Sequence, residues 1–356
     1  AEKAACAILA GMPVITKPAT SSAMVTERCV EILVEAGAFP AGVFQFIAGG
    51  TGDLISRLGA QDVLAFTGSA DTALRLRSAE NLLSTNARVN LEADSLNAAV
   101  LGGDVEEGSE TWDLFLRDVA REITQKSGQK CTAVRRVFVP NDRVDAVIES
   151  LSDALSSVVV GDPSEGTVNM GPLATRQQLE DAVAGVAKLA AEGAIVHGSG
   201  ERVDGVGAEP GRGYFFAPTL VRAHDGMTAE AIHRHEVFGP CATVIGYDGT
   251  PGMAAQLVAR ADGTLVTSLY SDDLEAVESY MAAGGCYTGR LYLGSEKMAE
   301  QAPGSGIALP QSLHGGPGRA GGGAELGGRD GLRLYMQRVA LQGSRPMIDR
   351  IFGANE

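Results

Sequence analysis

A regular alternation of short apolar runs and longer amphipathic segments constrains the fold of this chain more than any other feature of its sequence. The apolar run at residues 63–67 is followed by a segment of helical length at 69–84, and the run at 134–139 is followed in the same way by 142–158. Buried strands that alternate with helices of ten or more residues form βαβ units and a parallel sheet. The pattern therefore predicts an α/β fold with a mainly parallel sheet.

The length and the glycine content add to this prediction. At roughly 150 residues per domain, 356 residues predict about two domains. The 46 glycines exceed the usual share of roughly 7% and follow no Gly-X-Y period, so they indicate many turns and close backbone approaches. They concentrate at the turns between strands and helices and in residues 315–328.

The charge and the cysteines exclude several classes of function. With 29 basic and 44 acidic residues, the chain has a net charge of −15, which repels nucleic acid and anionic membrane surfaces. No apolar run reaches the roughly 18 residues of a membrane-spanning helix. The five cysteines are widely spaced without a CxxC pair, so neither a disulfide framework nor a zinc site is indicated. These features predict a cytoplasmic protein.

The segment SGQKCT (residues 127–132) is the strongest candidate for chemistry. It separates a helical pattern from a strand of branched residues, so Cys131 stands in a polar turn. A partly exposed cysteine that backbone amides can approach is readily activated as a thiolate nucleophile. The alternative is a small core residue, because free cysteine is among the most buried residue types. The turn by itself leaves both interpretations open.

Three more candidate residues stand where strands end. Glu92 ends an apolar run, Lys17 directly follows another, and Ser69 begins the helix after a third. Ligands of open α/β sheets bind at this carboxyl edge. There Glu92 can act as a general base, Lys17 can meet a ribose or phosphate, and the helix N-terminus at Ser69 favours an anion. For each of them the alternative is an ordinary exposed side chain or a helix cap.

Two further searches give no site. Gly50 and Gly52 lack the third glycine of a Rossmann fingerprint, since Ile55 stands in its place. His233 and His235 have no evident third ligand, so no metal site is predicted. None of the five histidines stands in a setting that identifies a catalytic base.

Six segments together resemble the aldehyde dehydrogenase superfamily in order and spacing. They are VITKPA at 14–19, EAGAFPAGV at 35–43, FTGS at 66–69, the glutamate Glu92, GQKCT at 128–132 and HEVFGP at 235–240. The resemblance implies a Rossmann-like cofactor domain, an α/β catalytic domain and a C-terminal oligomerisation strand, with the family's N-terminal part apparently absent. The implied divisions are a cofactor-binding domain at 1–90, a catalytic domain at 91–313, a return to the cofactor domain at 314–338 and an oligomerisation tail at 339–356.

The resemblance also implies the roles of the reacting groups. Cys131 would be the nucleophile that forms a thioester, and Glu92, which precedes it by 39 positions, would be the general base that hydrolyses the thioester. An oxyanion would be held by the Cys131 backbone N–H. Lys17 would meet the adenosine ribose or its 2′-phosphate, and Ser69 would contact the pyrophosphate.

The remaining implied residues concern the cofactor. Glu236 would bind the nicotinamide ribose, and Phe238 would pack against the nicotinamide end. Thr20 stands where relatives that prefer NAD often carry a glutamate. Because the missing carboxylate removes repulsion against a 2′-phosphate, NADP is the expected cofactor, with NAD as the alternative.

Two segments resemble one branch of the superfamily more than the others. The short loop LEADSLN at 91–97 and LHGGPGR at 313–319 resemble the branch that oxidises CoA-linked semialdehydes in aromatic-acid catabolism, phenylacetate degradation included. The expected protein is a homodimer or higher homo-oligomer. The alternatives are an aldehyde dehydrogenase of another substrate class, an inert scaffold, or a cysteine-dependent acyltransferase or hydrolase that uses no nicotinamide. The last of these requires a histidine beside the thiol.

Overall fold

A computed structural model describes residues 2–326 and 328–353. Its strands are β1 Val14–Thr16, β2 Phe44–Phe46, β3 Val63–Thr67, β4 Arg88–Glu92, β5 Ala98–Leu101, β6 Arg136–Pro140, β7 Gly193–His197, β8 Thr219–Ala223, β9 Cys241–Tyr247, β10 Thr264–Tyr270, β11 Thr288–Gly294, β12 Leu313–Gly315 and β13 Ala324–Leu326.

The α-helices alternate with these strands for most of the chain. They are α1 Glu2–Leu9, α2 Ala23–Glu35, α3 Ala70–Arg77, α4 Glu80–Thr85, α5 Glu110–Thr124, α6 Val144–Ser156, α7 Arg176–Ala190, α8 Ala231–Arg234, α9 Pro251–Ala259, α10 Leu274–Gly284, α11 Arg329–Arg333 and α12 Arg345–Phe352. Within the described residues, none of them has the length and apolar character needed to cross a bilayer.

Strands β5 to β11 form one sheet in the order β11-β10-β5-β6-β9-β8-β7. All neighbours are parallel except β7 and β8. Successive side chains point to opposite faces: Val100 and Phe138 belong to one buried apolar cluster, and Leu101 and Val139 belong to the other. Burial on both faces explains the continuous apolar runs in the sequence. The predicted α/β fold with a mainly parallel sheet is confirmed.

The N-terminal part forms two small sheets. Strands β1 and β2 pair in parallel, and β3 and β4 form a second parallel pair. The residues of β1 to β3 are half-buried or exposed, whereas β4 is buried from Asn90 to Glu92. Strand β4 therefore leads from an exposed region of the chain into a buried one, and Glu92 stands at its buried end.

A hairpin near the C-terminus packs beside β4. Strands β12 and β13 pair antiparallel, with His314 opposite Glu325. The Asn90 side chain bonds the hairpin twice: its Nδ2 donates to Ala324 O at 2.8 Å, and its Oδ1 accepts from the Ala324 N–H at 2.9 Å. Because Asn90 precedes Glu92 by two positions on the same strand, the two contacts fix the hairpin next to Glu92.

The glycine-rich turn of this hairpin depends on the absence of side chains. Gly321 has a φ of +105°, and a Cβ at this position would lie 2.3 Å from Leu91 O. The Gly323 N–H donates to the same carbonyl at 2.9 Å. Glycine alone permits both the left-handed backbone and the close approach, so these residues bring the hairpin against β4.

One predicted helix is broken in the structure. The helix predicted at 69–84 is interrupted, because Ser78 and Ala79 separate α3 from α4. Helical periodicity continues through both helices, so the sequence pattern gives no sign of this break.

The tail predicted to carry the oligomerisation strand, residues 339–356, forms no strand within its described part, 339–353, and 354–356 lie outside the described residues. Because such a strand would pair with a second chain, it stays a prediction. Helix α12 occupies most of this segment. Pro346 stands in its first turn, where the missing N–H costs nothing, and Gly353 ends it with a φ of +59°. Its exposed apolar residues recur at helical and not at strand spacing: Met347, Ile351 and Phe352.

Candidate active site

Cys131 lies in a tightly turned segment between α5 and β6. Lys126 and Ser127 both have a φ of 55°, in the left-handed region that residues other than glycine rarely adopt. Ser127 Oγ donates to Gly171 O at 2.8 Å and holds the turn against a neighbouring loop. Residues in such conformations cluster at functional sites, because the surrounding structure has to hold them there. Cys131 itself is half-buried, so its thiol is accessible from a cavity.

A buried amide fixes the main chain at the nucleophile. Asn97 Nδ2 donates to Cys131 O at 2.7 Å and to Ala133 O at 2.9 Å, while Ser95 Oγ donates to Asn97 Oδ1 at 2.6 Å. Asn97 is fully buried. It also accepts from the Val266 N–H of the central sheet at 3.0 Å. The position of Cys131 is therefore tied to the best-packed part of the molecule.

Cys131, Glu92 and His314 form one cluster. His314 Nε2 lies 3.7 Å from Cys131 Sγ and 3.3 Å from Glu92 Oε1. One ligand atom from each of the three side chains lies within 4.8 Å of the others. The nucleophile and the base expected from the sequence are thus brought together, and a histidine that was not expected stands between them.

Hydrogen bonding favours the charged forms within this cluster. The contacts with Cys131 and Glu92 outweigh burial and raise the pKa of His314 to about 10. Burial favours the neutral acid at Glu92, but the hydrogen bond from His314 and the nearby positive charges lower the pKa of Glu92 below its usual range. The two shifts in pKa favour a positive His314 ring and an ionised Glu92 carboxyl group.

A second carboxyl group stands behind Glu92. Burial and the charge of Glu92 raise the pKa of Glu325. Lys3 of α1 forms an ion pair with Glu325, and Thr67 Oγ1 donates to Glu325 Oε1 at 3.2 Å. Because the pKa shifts of the two carboxyl groups have opposite directions, a proton shared between them resides on Glu325 first. Glu92 remains the ionised member that faces the thiol.

The cluster also contains the donor types of a metal site. A thiolate, an imidazole and a carboxylate are ligands that Zn²⁺ takes, and three of them with a water complete a tetrahedral site. The sequence predicted no metal. His314 Nε2 contacts both the Cys131 thiol and the Glu92 carboxylate, and solution experiments on this site require a chelator as a control.

The cluster lines a cavity of about 740 Å³. Cys131, Glu92 and His314 lie on its wall together with Lys17, and the edges of β1 and β3 form other parts of the wall. The volume falls within the roughly 300–1,000 Å³ of small-molecule sites. Lys17 Nζ donates to Pro18 O at 2.9 Å and is half-buried. The predicted cofactor lysine and the predicted nucleophile therefore line the same cavity.

Ser69 and Thr20 lie outside the wall of this cavity. Ser69 is the N-cap of α3, and its side chain accepts from the Thr72 N–H at 3.4 Å. The adjacent Ala70 N–H donates to Asp94 Oδ1 at 2.9 Å, so a carboxylate of this chain already uses one free amide of the helix terminus. Thr20 is exposed in a short 3₁₀ turn. The roles of both residues toward a cofactor stay predictions.

Glu236 is engaged by the protein itself. Arg135 Nε lies 3.3 Å from Glu236 Oε1, and the Ser95 N–H donates to Glu236 Oε2 at 3.1 Å. Burial raises the pKa of Glu236, and Arg135 opposes the rise. Phe238 is exposed, and the Arg135 guanidinium carbon lies 5.4 Å from its ring centroid. Arg135 therefore holds both residues expected at the nicotinamide end, and their ligand contacts stay predictions.

Comparison with known proteins bears directly on this arrangement. Residues 1–340 match the model of the aldehyde dehydrogenase family. The chain belongs to this family. It is 39% identical over 316 residues to 3,4-dehydroadipyl-CoA semialdehyde dehydrogenase of Aromatoleum evansii, an alignment that covers 89% of this chain and 61% of that protein.

Solved structures of the family share the fold. NAD-dependent aldehyde dehydrogenase from Sinorhizobium meliloti superposes with a TM-score of 0.79 at 26% identity, over 94% of this chain and 62% of that one. Betaine aldehyde dehydrogenase from Staphylococcus aureus, solved with NAD⁺, superposes with a TM-score of 0.76 at 26% identity, over 91% and 60% of the two chains. The chain thus spans about three fifths of the length of each relative named here.

Sequence reasoning missed the groups that surround the two reacting residues. The sequence predicts no catalytic role for His314, which lies in the segment expected to return to the cofactor domain, and none for Lys3 or Glu325. Each contact joins positions far apart in the chain: His314 lies 183 positions after Cys131. One sequence feature could have pointed to His314. It lies in the segment LHGGPGR, where two glycines follow the histidine and allow the backbone to pass close to β4.

Proposed function

We propose that this chain carries the catalytic groups for oxidation of an aldehyde to a carboxylic acid with a nicotinamide cofactor. The observation that supports the proposal is the convergence of Cys131, Glu92 and Lys17 on one cavity. A scaffold without catalysis has no need of a thiol and a carboxylate held 4.8 Å apart or less. Because the chain covers three fifths of its relatives, the activity is proposed for the protein to which these residues belong.

In the first half-reaction the Cys131 sulfur attacks the aldehyde carbon. A C–S bond forms, and the carbonyl electron pair moves to oxygen, where the Cys131 backbone N–H stabilises the oxyanion. When bound, the nicotinamide cofactor supplies the acceptor for the hydride that leaves the same carbon. Loss of the hydride oxidises the aldehyde carbon, and Cys131 carries a thioester.

In the second half-reaction Glu92 activates water. One water proton passes to the carboxylate while the water oxygen bonds to the thioester carbon. The C–S bond then breaks, its electron pair returns to Cys131, and the carboxylic acid leaves. Glu325, which shares the charge environment of Glu92, is placed to receive the proton next, since Lys3 and Thr67 bind it. A glutamate in this role favours hydrolysis over transfer of the acyl group to free CoA.

For the cofactor we propose NADP first and NAD second. Thr20 and Lys17 are the residues on which this preference rests: Lys17 offers an ammonium at the cavity wall, and no carboxylate at Thr20 repels a 2′-phosphate. Kinetic assays with NADP and with NAD measure this cofactor preference. The expected result is a lower KM for NADP than for NAD, and a ratio that inverts in Thr20→Glu. An unchanged ratio in that variant would remove Thr20 from the account.

For the substrate we propose a CoA-linked semialdehyde of aromatic-acid catabolism. The support is the 39% identity to the Aromatoleum evansii relative, together with the resemblance of residues 91–97 and 313–319 to that branch. The test compares a CoA-linked semialdehyde with the same semialdehyde lacking CoA. A higher kcat/KM for the CoA-linked compound is expected, and equal values would assign the chain to another substrate class.

The proposed function also implies a domain division and an oligomeric state. Residues 1–90 and 314–338 would bind the cofactor and 91–313 would supply catalysis, in a cytoplasmic homo-oligomer. The oligomeric contact is assigned to the tail at 339–356, where exposed apolar residues of α12 offer a surface. Light scattering of the chain with and without this tail measures the change in mass.

A second function is favoured by one contact. His314 Nε2 lies 3.7 Å from Cys131 Sγ, which meets the requirement of a cysteine-dependent hydrolase or acyltransferase for a histidine beside its thiol. Absorbance of the reduced cofactor separates the two functions. Appearance of reduced NADP or NAD on addition of an aldehyde supports the dehydrogenase. Hydrolysis of a thioester at the same rate with and without nicotinamide, and no cofactor reduction over a range of aldehydes, would replace it.

A further inference from the structure

We propose that Arg135 is a positioning residue: its side chain fixes the nucleophile turn, residues 126–131, relative to residues 236–239, which are expected at the nicotinamide end of the site. The link between the two segments is a property of the free protein. Its effect on hydride transfer rests on the proposed function, because the cofactor contacts of Glu236 and Phe238 belong to that proposal.

The three nitrogens of the Arg135 guanidinium contact three different residues. Nη2 donates to Gly128 O at 2.8 Å in the nucleophile turn, and Nη1 donates to Gly239 O at 2.8 Å. Nε lies 3.3 Å from Glu236 Oε1. The donors of a guanidinium lie in one rigid plane, which suits arginine to a bridge of this kind. The side chain therefore joins two segments that are more than 100 positions apart in the chain.

The two segments also touch each other directly. Gly128 has a φ of +68°, and a Cβ at this position would lie 2.2 Å from Gly239 O. Gln129 Nε2 donates to Phe238 O at 3.4 Å. Because the backbones are in contact, a shift of one segment displaces the other, and the Arg135 side chain sets the distance at which they meet.

Arg135 also closes a ring of hydrogen bonds beside the nucleophile. The Ser95 N–H donates to Glu236 Oε2 at 3.1 Å, and Ser95 Oγ donates to Asn97 Oδ1 at 2.6 Å. Asn97 O accepts from the Arg135 N–H at 3.0 Å, and the Arg135 side chain returns to Glu236. Asn97 Nδ2 donates to Cys131 O at 2.7 Å as well. The ring thus ties the Glu236 carboxylate to the main chain of the nucleophile.

Burial makes this bridge depend on a charged pair. The side chains of Arg135 and Glu236 are 3% and 9% exposed. Removing one of the two would leave the other buried without a partner, which is strongly destabilising. A lysine keeps the positive charge, but its ammonium is a single point and cannot contact three separated acceptors. The variant Arg135→Lys therefore changes the geometry of the bridge while it retains the charge.

The distance between the two segments matters for the proposed reaction. Cys131 holds the aldehyde carbon, and Glu236 and Phe238 are expected to hold the hydride acceptor. Reacting atoms have to approach to about 3–3.5 Å, and a displacement of about 1 Å is enough to slow a reaction by about 100-fold. Arg135 touches neither reacting group, so its contribution is to the placement of both.

The first test measures amide hydrogen exchange by mass spectrometry in the free protein, without cofactor or aldehyde. Peptides that contain residues 126–131 and 236–241 should both exchange faster in Arg135→Lys, by about tenfold, since each loses a hydrogen bond. Peptides of helix α6, Val144–Ser156, should exchange as in the native chain. Native exchange of both site peptides in Arg135→Lys would overturn the proposal.

The matched control is Arg212→Lys. Arg212 Nε lies 3.4 Å from Glu209 Oε2, and both side chains are exposed. An exposed pair of this kind contributes little to stability, so this variant should exchange like the native chain throughout.

A double variant covers the case in which Arg135→Lys does not fold. Arg135→Gln combined with Glu236→Gln removes both charges of the pair and leaves no buried charge unpaired. The same two peptides should exchange faster together, again by about tenfold. Native exchange in this double variant would overturn the proposal.

The second test separates placement from stability. Single-turnover stopped-flow absorbance, with NADP and with protein in excess over a CoA-linked semialdehyde, gives the rate constant and the amplitude of cofactor reduction. In Arg135→Lys the rate constant should fall by about 10-fold to 100-fold. A merely structural role would lower the amplitude, which reports the active fraction, and leave the rate constant unchanged; that result would overturn the positioning role. A native protein that reduces no cofactor, although the two peptides respond together in the first test, would contradict the proposed dehydrogenase function and leave the link through Arg135 standing.

Discussion

The first 87 residues and the seven-stranded sheet that follows them are packed very differently. Up to residue 87, the buried side chains among the described residues are small or few: Ala7, Ala73, Leu82 and Ala87. The sheet, by contrast, is covered on both faces by two large apolar clusters. Large apolar side chains of the N-terminal region are instead exposed, Met24, Val25 and Val34 each by more than 70%.

Because of this difference in packing, the nucleophile and the cofactor lysine are held by regions of different stability. Cys131 is fixed by Asn97 to the central sheet, so its position depends on the well-packed region. Lys17 follows a three-residue strand in a two-stranded sheet, which is at best marginally stable by itself. We therefore expect the nucleophile to be held rigidly and the cofactor side of the cavity to be held weakly.

Replacing the nucleophile gives the largest expected effect. Cys131→Ala should lower the rate of cofactor reduction by about 1,000-fold or more, because no other group forms the thioester. Since Cys131 is half-buried and its main chain is held by Asn97, thermal stability and cofactor affinity should change little. Steady-state absorbance, melting curves and equilibrium binding measure the three quantities. A retained rate would remove Cys131 as the nucleophile.

Two truncations, one in each region, test the packing difference. Phe115→Ala empties a fully buried site in the sheet region and should lower the free energy of unfolding by about 3–5 kcal/mol. Val25→Ala removes an exposed side chain of α2 and should change it by less than about 0.5 kcal/mol. Urea unfolding measures both variants. Equal losses would show that the N-terminal region is packed as tightly as the sheet.

Some of these features could be predicted from the sequence and others could not. Strand β3 was predicted with its observed bounds, because its apolar residues form a continuous run. Glu92 and Cys131 were identified by local motifs. His314 and Glu325 were not, since their relation to Glu92 depends on a hairpin that returns from more than 200 positions away. Helix α12 in the tail was not predicted, although the spacing of its apolar residues is helical.

Removing the base should separate the two half-reactions. Glu92→Gln should give one rapid burst of reduced cofactor and then a steady rate that is lower by about 100-fold, because the thioester forms but hydrolyses slowly. Stopped-flow absorbance resolves the burst from the steady rate. The exposed Glu278→Gln on α10 is the control and should behave like the native chain. Undiminished steady turnover in Glu92→Gln would assign hydrolysis to another base.

The smallest expected effect is on stability as a function of pH. The pKa of His314 is raised from 6.5 to about 10, so its stabilising contribution is complete below about pH 6.5 and is lost as the pH rises through 10. The pKa of Glu92 is lowered, so its contribution is lost only in acid, below the ordinary pKa of 4.5. His314→Gln should therefore be less stable than the native chain by about 1 kcal/mol or more at pH 6, with a smaller difference near pH 10. Urea midpoints at the two pH values test this, and a difference that grows with pH would contradict the sign.

Trapping the intermediate tests the central claim most directly. Glu92→Gln is mixed with a CoA-linked semialdehyde and NADP, digested, and examined by mass spectrometry alongside the absorbance of the reduced cofactor. The account predicts an acyl group on the peptide that contains Cys131, in a one-to-one ratio with the reduced cofactor formed in the burst. Reduced cofactor without an acyl group on Cys131, or an acyl group on another residue, would contradict it.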